Sequence, residues 1–322
     1  MKRVETLYTI GKELKKAMAE SLERESPLII YHPSRLSNAE EFKALFTVSN
    51  GQAVEHDIRA CRDGYSVQQG MFTDRLQAWN ILPVSSLGGL ESVLGTGRAV
   101  EIVEIAKKRD RSGKPFTMDT VKNNLFVKDL TVEELQLLGK AGGEEILALG
   151  EFLDLYRQAA DGKVKPGKLC IDIKDGDKAL HGSLRLAVSA TKVVFEELKA
   201  RRLDGSAYMI MQYSIDAFRA SKKIIGDNAI SACVLPSSII NRGGEQEFID
   251  YANKAVKAAG ADWVVCRIGD LHLIKNILRS GDNVRHGPNM MVYVPPKEST
   301  DIQLLVQTLR NYPTIKAIQI DA

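Results

Sequence analysis

Eight short apolar runs punctuate the chain, at 28–31, 53–58, 168–173, 207–213, 229–235, 262–268, 290–294 and 315–320. Each has the length of a buried strand, and most are separated by stretches of helical periodicity, namely 184–202, 216–225, 246–259, 271–279 and 299–311. Ahead of the first run, Leu7, Ile10, Leu14, Met18 and Leu22 recur at three- and four-residue steps, which predicts an amphipathic helix within residues 1–25. Short strands alternating with helices argue for βα units and a parallel sheet. Eight such units close naturally into a TIM (β/α)8 barrel, whose chemistry lies at the C-terminal ends of its strands. We therefore expect an α/β fold and a single barrel domain over residues 1–322.

One interval breaks the rhythm, since about a hundred residues separate the second and third runs. Residues 72–120 are expected to form an insertion or cap over the barrel mouth, because long excursions in compact domains are usually functional or disordered. They serve as a lid, an interface or both, and together with the N-terminal helix they leave a homo-oligomer open. Gly95-Thr-Gly97-Arg98 lacks the spacing of a phosphate loop and reads as a turn.

Composition adds mainly exclusions. A 322-residue chain with 44% hydrophobic and 26% charged residues is that of an ordinary globular protein. A net charge of +3 is too small to make nucleic acid or an anionic membrane its main partner. No run of about 18 apolar residues occurs, so no membrane span is expected, and the N-terminus lacks the apolar core of a secretory signal. Cys61, Cys170, Cys233 and Cys266 are far apart in sequence and read as buried free thiols of a cytoplasmic protein.

The candidate chemistry lies at the strand ends. Glu55 and Asp57 are two apart in the second run, so a strand points both carboxylates one way and His56 the other. Two hard oxygen ligands on one wall suit Mg²⁺ or Ca²⁺, although a solvated strand face has the same pattern. Asp172 and Lys174 repeat the spacing on the third strand. His32 ends the first strand, Asp270 and His272 follow the sixth, Lys297 follows the seventh, and Asp321 ends the eighth. Acids, a histidine and a lysine converging on a barrel mouth describe a metal-assisted site for a charged small molecule.

At this point the chain resembles the glycerophosphodiester phosphodiesterases, an α/β-barrel family. The similarity is carried by His32, Glu55-His-Asp57, Arg62-Asp63-Gly64 and Asp172-Ile-Lys174, in that order. It extends through Lys128-Asp-Leu-Thr-Val-Glu-Glu-Leu135, Ile146-Leu-Ala-Leu-Gly-Glu-Phe-Leu153 and the closing Ile318-Gln-Ile-Asp321. It covers most of residues 28–322 apart from the insertion. The resemblance implies that Glu55, Asp57 and Asp172 hold a divalent cation and that Lys174 contacts the phosphate. It also implies that His32 is one of two histidines acting as acid and base on the ester oxygens.

The chain departs from this family at two places. His32-Pro33-Ser34 stands where the family has His-Arg-Gly, which leaves Arg35 to make the phosphate contact. The second catalytic histidine is missing, because Gln69 and Gly70 occupy its place and neither can shuttle a proton. His181, in the loop after the third strand, and His272, in the loop after the sixth, are the two conceivable replacements, with His181 taken as the catalytic candidate and His272 as a candidate substrate contact. The expected activity is metal-dependent hydrolysis of a glycerophosphodiester or sugar phosphodiester to an alcohol and a phosphomonoester. Phosphoryl transfer or cyclisation on the same scaffold, as in its sphingomyelinase D-like and agrocinopine synthase relatives, remains an alternative. So does a non-catalytic barrel binding a phosphorylated metabolite.

Overall fold

The computed structural model describes residues 2–22, 25–32, 38–49, 52–68, 86–142, 145–160, 167–174, 183–274, 288–295 and 298–321. Its sheet runs β1 (Leu28–His32), β2 (Ala53–Ala60), β3 (Tyr65–Gln68), β4 (Leu147–Ala148), β5 (Lys168–Ile173), β6 (Ala207–Gln212), β7 (Ile230–Val234), β8 (Trp263–Arg267), β9 (Asn289–Val294) and β10 (Ile315–Asp321). Eight of these pair in parallel in the order β1-β10-β9-β8-β7-β6-β5-β2, and β1 pairs with β2 to close the ring. The fold is a TIM barrel. The eight expected strands are the eight barrel strands, displaced by no more than two residues at either end.

The helices are α1 (Lys2–Ser21), α2 (Ala39–Val48), α3 (Leu87–Leu94), α4 (Thr96–Arg109), α5 (Met118–Asn124), α6 (Val132–Ala141), α7 (Leu149–Ala160), α8 (Leu184–Ala200), α9 (Ile215–Ile225), α10 (Ser238–Asn253) and α11 (Ile302–Asn311). Alternate strand residues serve two cores, as the period of two requires. Val54, Ile58, Ile171 and Ile318 face outward to the helices, while Ile30, Ala53, Cys170, Met209, Met291 and Ala317 fill the barrel interior. An apolar plug therefore forms the floor beneath the strand ends where the polar residues stand. All four cysteines are buried thiols, none of them in a disulfide.

Helix α1 packs on β1, β10, α2 and α11, with Val4, Leu7, Ile10, Leu14 and Met18 buried on one face. Gly11 lies on that face against Tyr31, and a Cβ there would stand 2.6 Å from Tyr31 Cε1 and closer still to its hydroxyl. Tyr31 is 4% exposed and has little room to retreat. Gly11→Val should accordingly lower stability by about 1–3 kcal/mol, as overpacking does. Denaturant titration checks this; an unchanged midpoint would show that α1 is loosely seated.

The long excursion after β2 contains an antiparallel pair and a helical unit. β3 pairs with β2, and β4 pairs with β3. Helices α3–α6 share a core of their own, built on Leu90, Ile102, Val103, Val121, Leu125, Leu135 and Leu138, which meets the barrel at Cys61 just past β2. This core reaches Ile146 and so extends beyond the expected insertion boundary at residue 120. Residues 72–85 of the insertion lie outside the described residues. Gly95, with φ of 80°, is the corner between α3 and α4. The expected turn is confined to Gly95, because Thr96–Arg98 already form the first turn of α4, and Arg98 is spent on Glu134, Glu101 and the Asp129 carbonyl. Glu134 also closes a capping box with Thr131 at the start of α6.

Candidate active site

Strand register brings the candidate residues together. β1 and β10 align His32 with Asp321, and β2 and β5 align Asp57 with Asp172. β1 and β2 align Tyr31 with Val54, so one further step sets His32 beside Glu55. His32, Glu55, Asp57, Asp172 and Lys174 are all buried and line one cavity of about 550 Å³ at the C-terminal ends of the barrel strands. Met211, Val234, Val265 and Pro295 supply apolar wall, and Tyr213, Arg267, Tyr293 and Gln319 add polar lining.

His32 bridges two acids. Its Nδ1 meets Asp321 Oδ1 and its Nε2 stands 2.8 Å from Glu55 Oε2. Asp321 is held in turn by the Tyr293 hydroxyl at 2.9 Å, and its carbonyl accepts from Ser299 Oγ. Burial opposes a charged imidazole, but Glu55 and Asp321 outweigh it and hold His32 well above its ordinary value. Burial pushes the Glu55 carboxyl up to about 8, against the pull of His32 and with a further push from Asp57.

Lys174 forms the second cluster. Its ammonium contacts Asp172 Oδ2, lies 3.1 Å from Asp57 Oδ1, and donates to the Tyr213 hydroxyl at 2.6 Å. Burial disfavours the ammonium, yet Asp172 and Asp57 more than reverse that and keep it charged. The same burial raises Asp172, with Lys174 pulling the other way. Three carboxylates thus share the cavity floor with His32 and Lys174, and His32 also answers to Asp321. Carboxylates packed this closely carry a repulsive and desolvation cost that a divalent cation would relieve.

The residues fit such a cation. Ligand atoms of His32, Glu55 and Asp57 lie within 4.8 Å of one another. Asp172 falls outside that group, but its Oδ1 is buried and meets no hydrogen-bond partner among the described residues. Oxygen-rich donors of this kind suit Mg²⁺ or Ca²⁺.

His272 is exposed, donates from Nδ1 to the Gly269 carbonyl 2.8 Å away, and does not line the cavity. Arg35, His181, Lys297 and the Gln69-Gly70 position lie outside the described residues. His56 turns outward, as strand alternation requires, and packs among Phe42, Phe46 and Phe152 with ring centroids 4.4–5.8 Å away. Burial pushes that imidazole well below its ordinary value.

Sequence reasoning missed Tyr213, Tyr293 and Arg59. Both tyrosines occupy alternate positions that place them at strand ends, a signal available in the sequence but unremarkable beside the acids. Arg59 continues the face of Glu55 and Asp57; it is 2% exposed, and its Nε and Nη2 meet no hydrogen-bond partner among the described residues.

No family model matches the chain, and no curated protein matches it. Solved structures do. A glycerophosphodiester phosphodiesterase from Parabacteroides distasonis superposes with a TM-score of 0.52 at 12% identity, covering 91% of each chain. A second one, from Thermotoga maritima, gives a TM-score of 0.48 at 14% identity, covering 92% of this chain and 96% of that one. At 12% identity the first likeness is one of fold.

Proposed function

We propose that the chain is a divergent member of the glycerophosphodiester phosphodiesterase family. In this reading it is a metal-dependent hydrolase that splits a glycerophosphodiester or sugar phosphodiester into an alcohol and a phosphomonoester. The observation that carries the reading is the convergence of Glu55, Asp57, Asp172, Lys174 and His32 from three adjacent strands on one cavity. The barrel likeness to a solved enzyme of this activity supports it. A purely binding barrel is disfavoured, because so many buried acids are costly to keep without a cation.

Held by Glu55, Asp57 and Asp172, Mg²⁺ or Ca²⁺ would supply Lewis acidity at a phosphoryl oxygen. The remaining work belongs to side chains. Lys174 adds fixed positive charge beside the phosphate, in a site too buried for water to screen it. Asp321 holds His32 by Nδ1, so Nε2 is the atom that passes a proton to the departing alcohol oxygen. His181 is the proposed second proton-transfer group, and Arg35 and His272 are proposed substrate contacts. A contact with His272 requires a substrate that reaches beyond the cavity. Residues 72–120 are proposed to belong to a cap on a single barrel domain.

A second reading, intramolecular phosphoryl transfer to a cyclic phosphate, is favoured by the absence of histidine at Gln69-Gly70. One experiment separates the two. Glycerophosphodiesters and sugar phosphodiesters are incubated with Mg²⁺, Ca²⁺ or EDTA, and the products are followed by phosphorus NMR. Hydrolysis gives a phosphomonoester, lost with EDTA and restored by the cation. A cyclic phosphate or a new diester moves the assignment to transfer, and turnover indifferent to chelation removes the cation from the account.

A further inference from the structure

We infer that Tyr213 is a positioning residue of the cation site: its hydroxyl commits one oxygen of Asp172 and thereby presents the other to the metal. The inference rests on the cation reading above. Tyr213 follows β6 directly, and its hydroxyl donates to Asp172 Oδ2 at 2.8 Å while accepting from Lys174 Nζ at 2.6 Å. Lys174 contacts the same Oδ2, which closes a three-membered ring of hydrogen bonds among phenol, carboxylate and ammonium. Both donors act on Oδ2 and neither on Oδ1. Oδ1 is the atom left buried without a hydrogen-bond partner among the described residues.

A terminal carboxylate turns easily about its last bond, since that torsion is broad. With only the ammonium beside it, Asp172 could offer Lys174 either oxygen, or both. The phenol removes that freedom by adding a second donor at a fixed place. Its own position is set from three sides. The Lys174 ammonium stands off the hydroxyl end of the ring, 4.9 Å from the centroid to Nζ; Tyr251 donates to the Tyr213 carbonyl at 3.2 Å; and β6 anchors the backbone. Partners that hydrogen-bond a metal-ligating side chain fix its orientation, and losing one typically weakens metal affinity or activity by about 10–100-fold. A phenylalanine would fill the same space without the hydroxyl, so the hydroxyl is the distinctive part.

The test compares wild-type protein with Tyr213→Phe for Mn²⁺ affinity, by electron paramagnetic resonance, alongside kcat, KM and melting temperature without metal. We expect Mn²⁺ to bind about 10–100-fold more weakly, kcat to fall with little change in KM, and the metal-free melting temperature to hold. Equal Mn²⁺ affinity and equal kcat overturn the inference. Wild-type protein that hydrolyses diesters without binding Mn²⁺ overturns the cation reading and this inference with it. Protein that binds Mn²⁺ but turns over no diester defeats the proposed activity alone, and the affinities still decide the role of Tyr213. If Tyr213→Phe proves unstable, the Asp172→Asn background decides. Tyr213→Phe should weaken Mn²⁺ no further there, and an equal loss in both backgrounds overturns the inference.

Discussion

Glu55→Gln is expected to lower turnover by about a thousandfold or more, while the metal-free protein melts at the same temperature or slightly higher. The two effects come from one feature. Glu55 is 1% exposed and shares its cavity with Asp57 and Asp172. As a ligand it contributes to a cation whose charge stabilisation is worth several kcal/mol in the transition state, and about 4 kcal/mol is a thousandfold in rate. Without the cation, burial and the neighbouring acids push that carboxyl toward its neutral form, and glutamine is a neutral side chain of the same volume whose amide oxygen can still accept from His32 Nε2. Relief of about 1 kcal/mol raises the melting temperature of a chain this large by only a few degrees. Steady-state kinetics and calorimetry together read both quantities. A structural acid would behave oppositely, with turnover and melting temperature falling in step.

The second large effect is expected from His32→Ala, which should reduce kcat by about 10²–10⁴-fold, the usual share of a positioned proton donor. The metal concentration needed for half-maximal activity should stay nearly constant. This second readout matters because His32 Nε2 also lies within ligand distance of the Glu55–Asp57 pair. A histidine that bound the cation would raise the metal requirement sharply when removed. Metal titrations of activity in wild-type and His32→Ala protein distinguish the two roles, and a large rise in the metal requirement contradicts proton donation.

Much of the fold was legible because a barrel strand is a short apolar run with a fixed period. All eight runs became strands, and within β2 the period alone sent Glu55 and Asp57 inward and His56 outward among three phenylalanines. Lys174 and Asp172 were legible for the same reason. The helical unit after β2 was not. Its core joins Leu90 and Val103 to Leu135 and Ile146 across stretches of chain whose own periodicity gave no such grouping. Nor does sequence order say which charges pair. The closing register that sets His32 against Asp321 joins positions 289 residues apart. The Tyr213 hydroxyl between Asp172 and Lys174 likewise depends on β5 and β6 lying side by side. Such partners emerge only when the barrel closes.

The most direct test is anomalous diffraction from crystals grown with Mn²⁺. One strong peak is expected in the cavity, within about 2.5 Å of oxygen atoms of Glu55, Asp57 and Asp172. That peak should vanish in Glu55→Gln crystals grown alike. A cavity without a peak at saturating Mn²⁺, or a peak held by other residues, would contradict the cation reading.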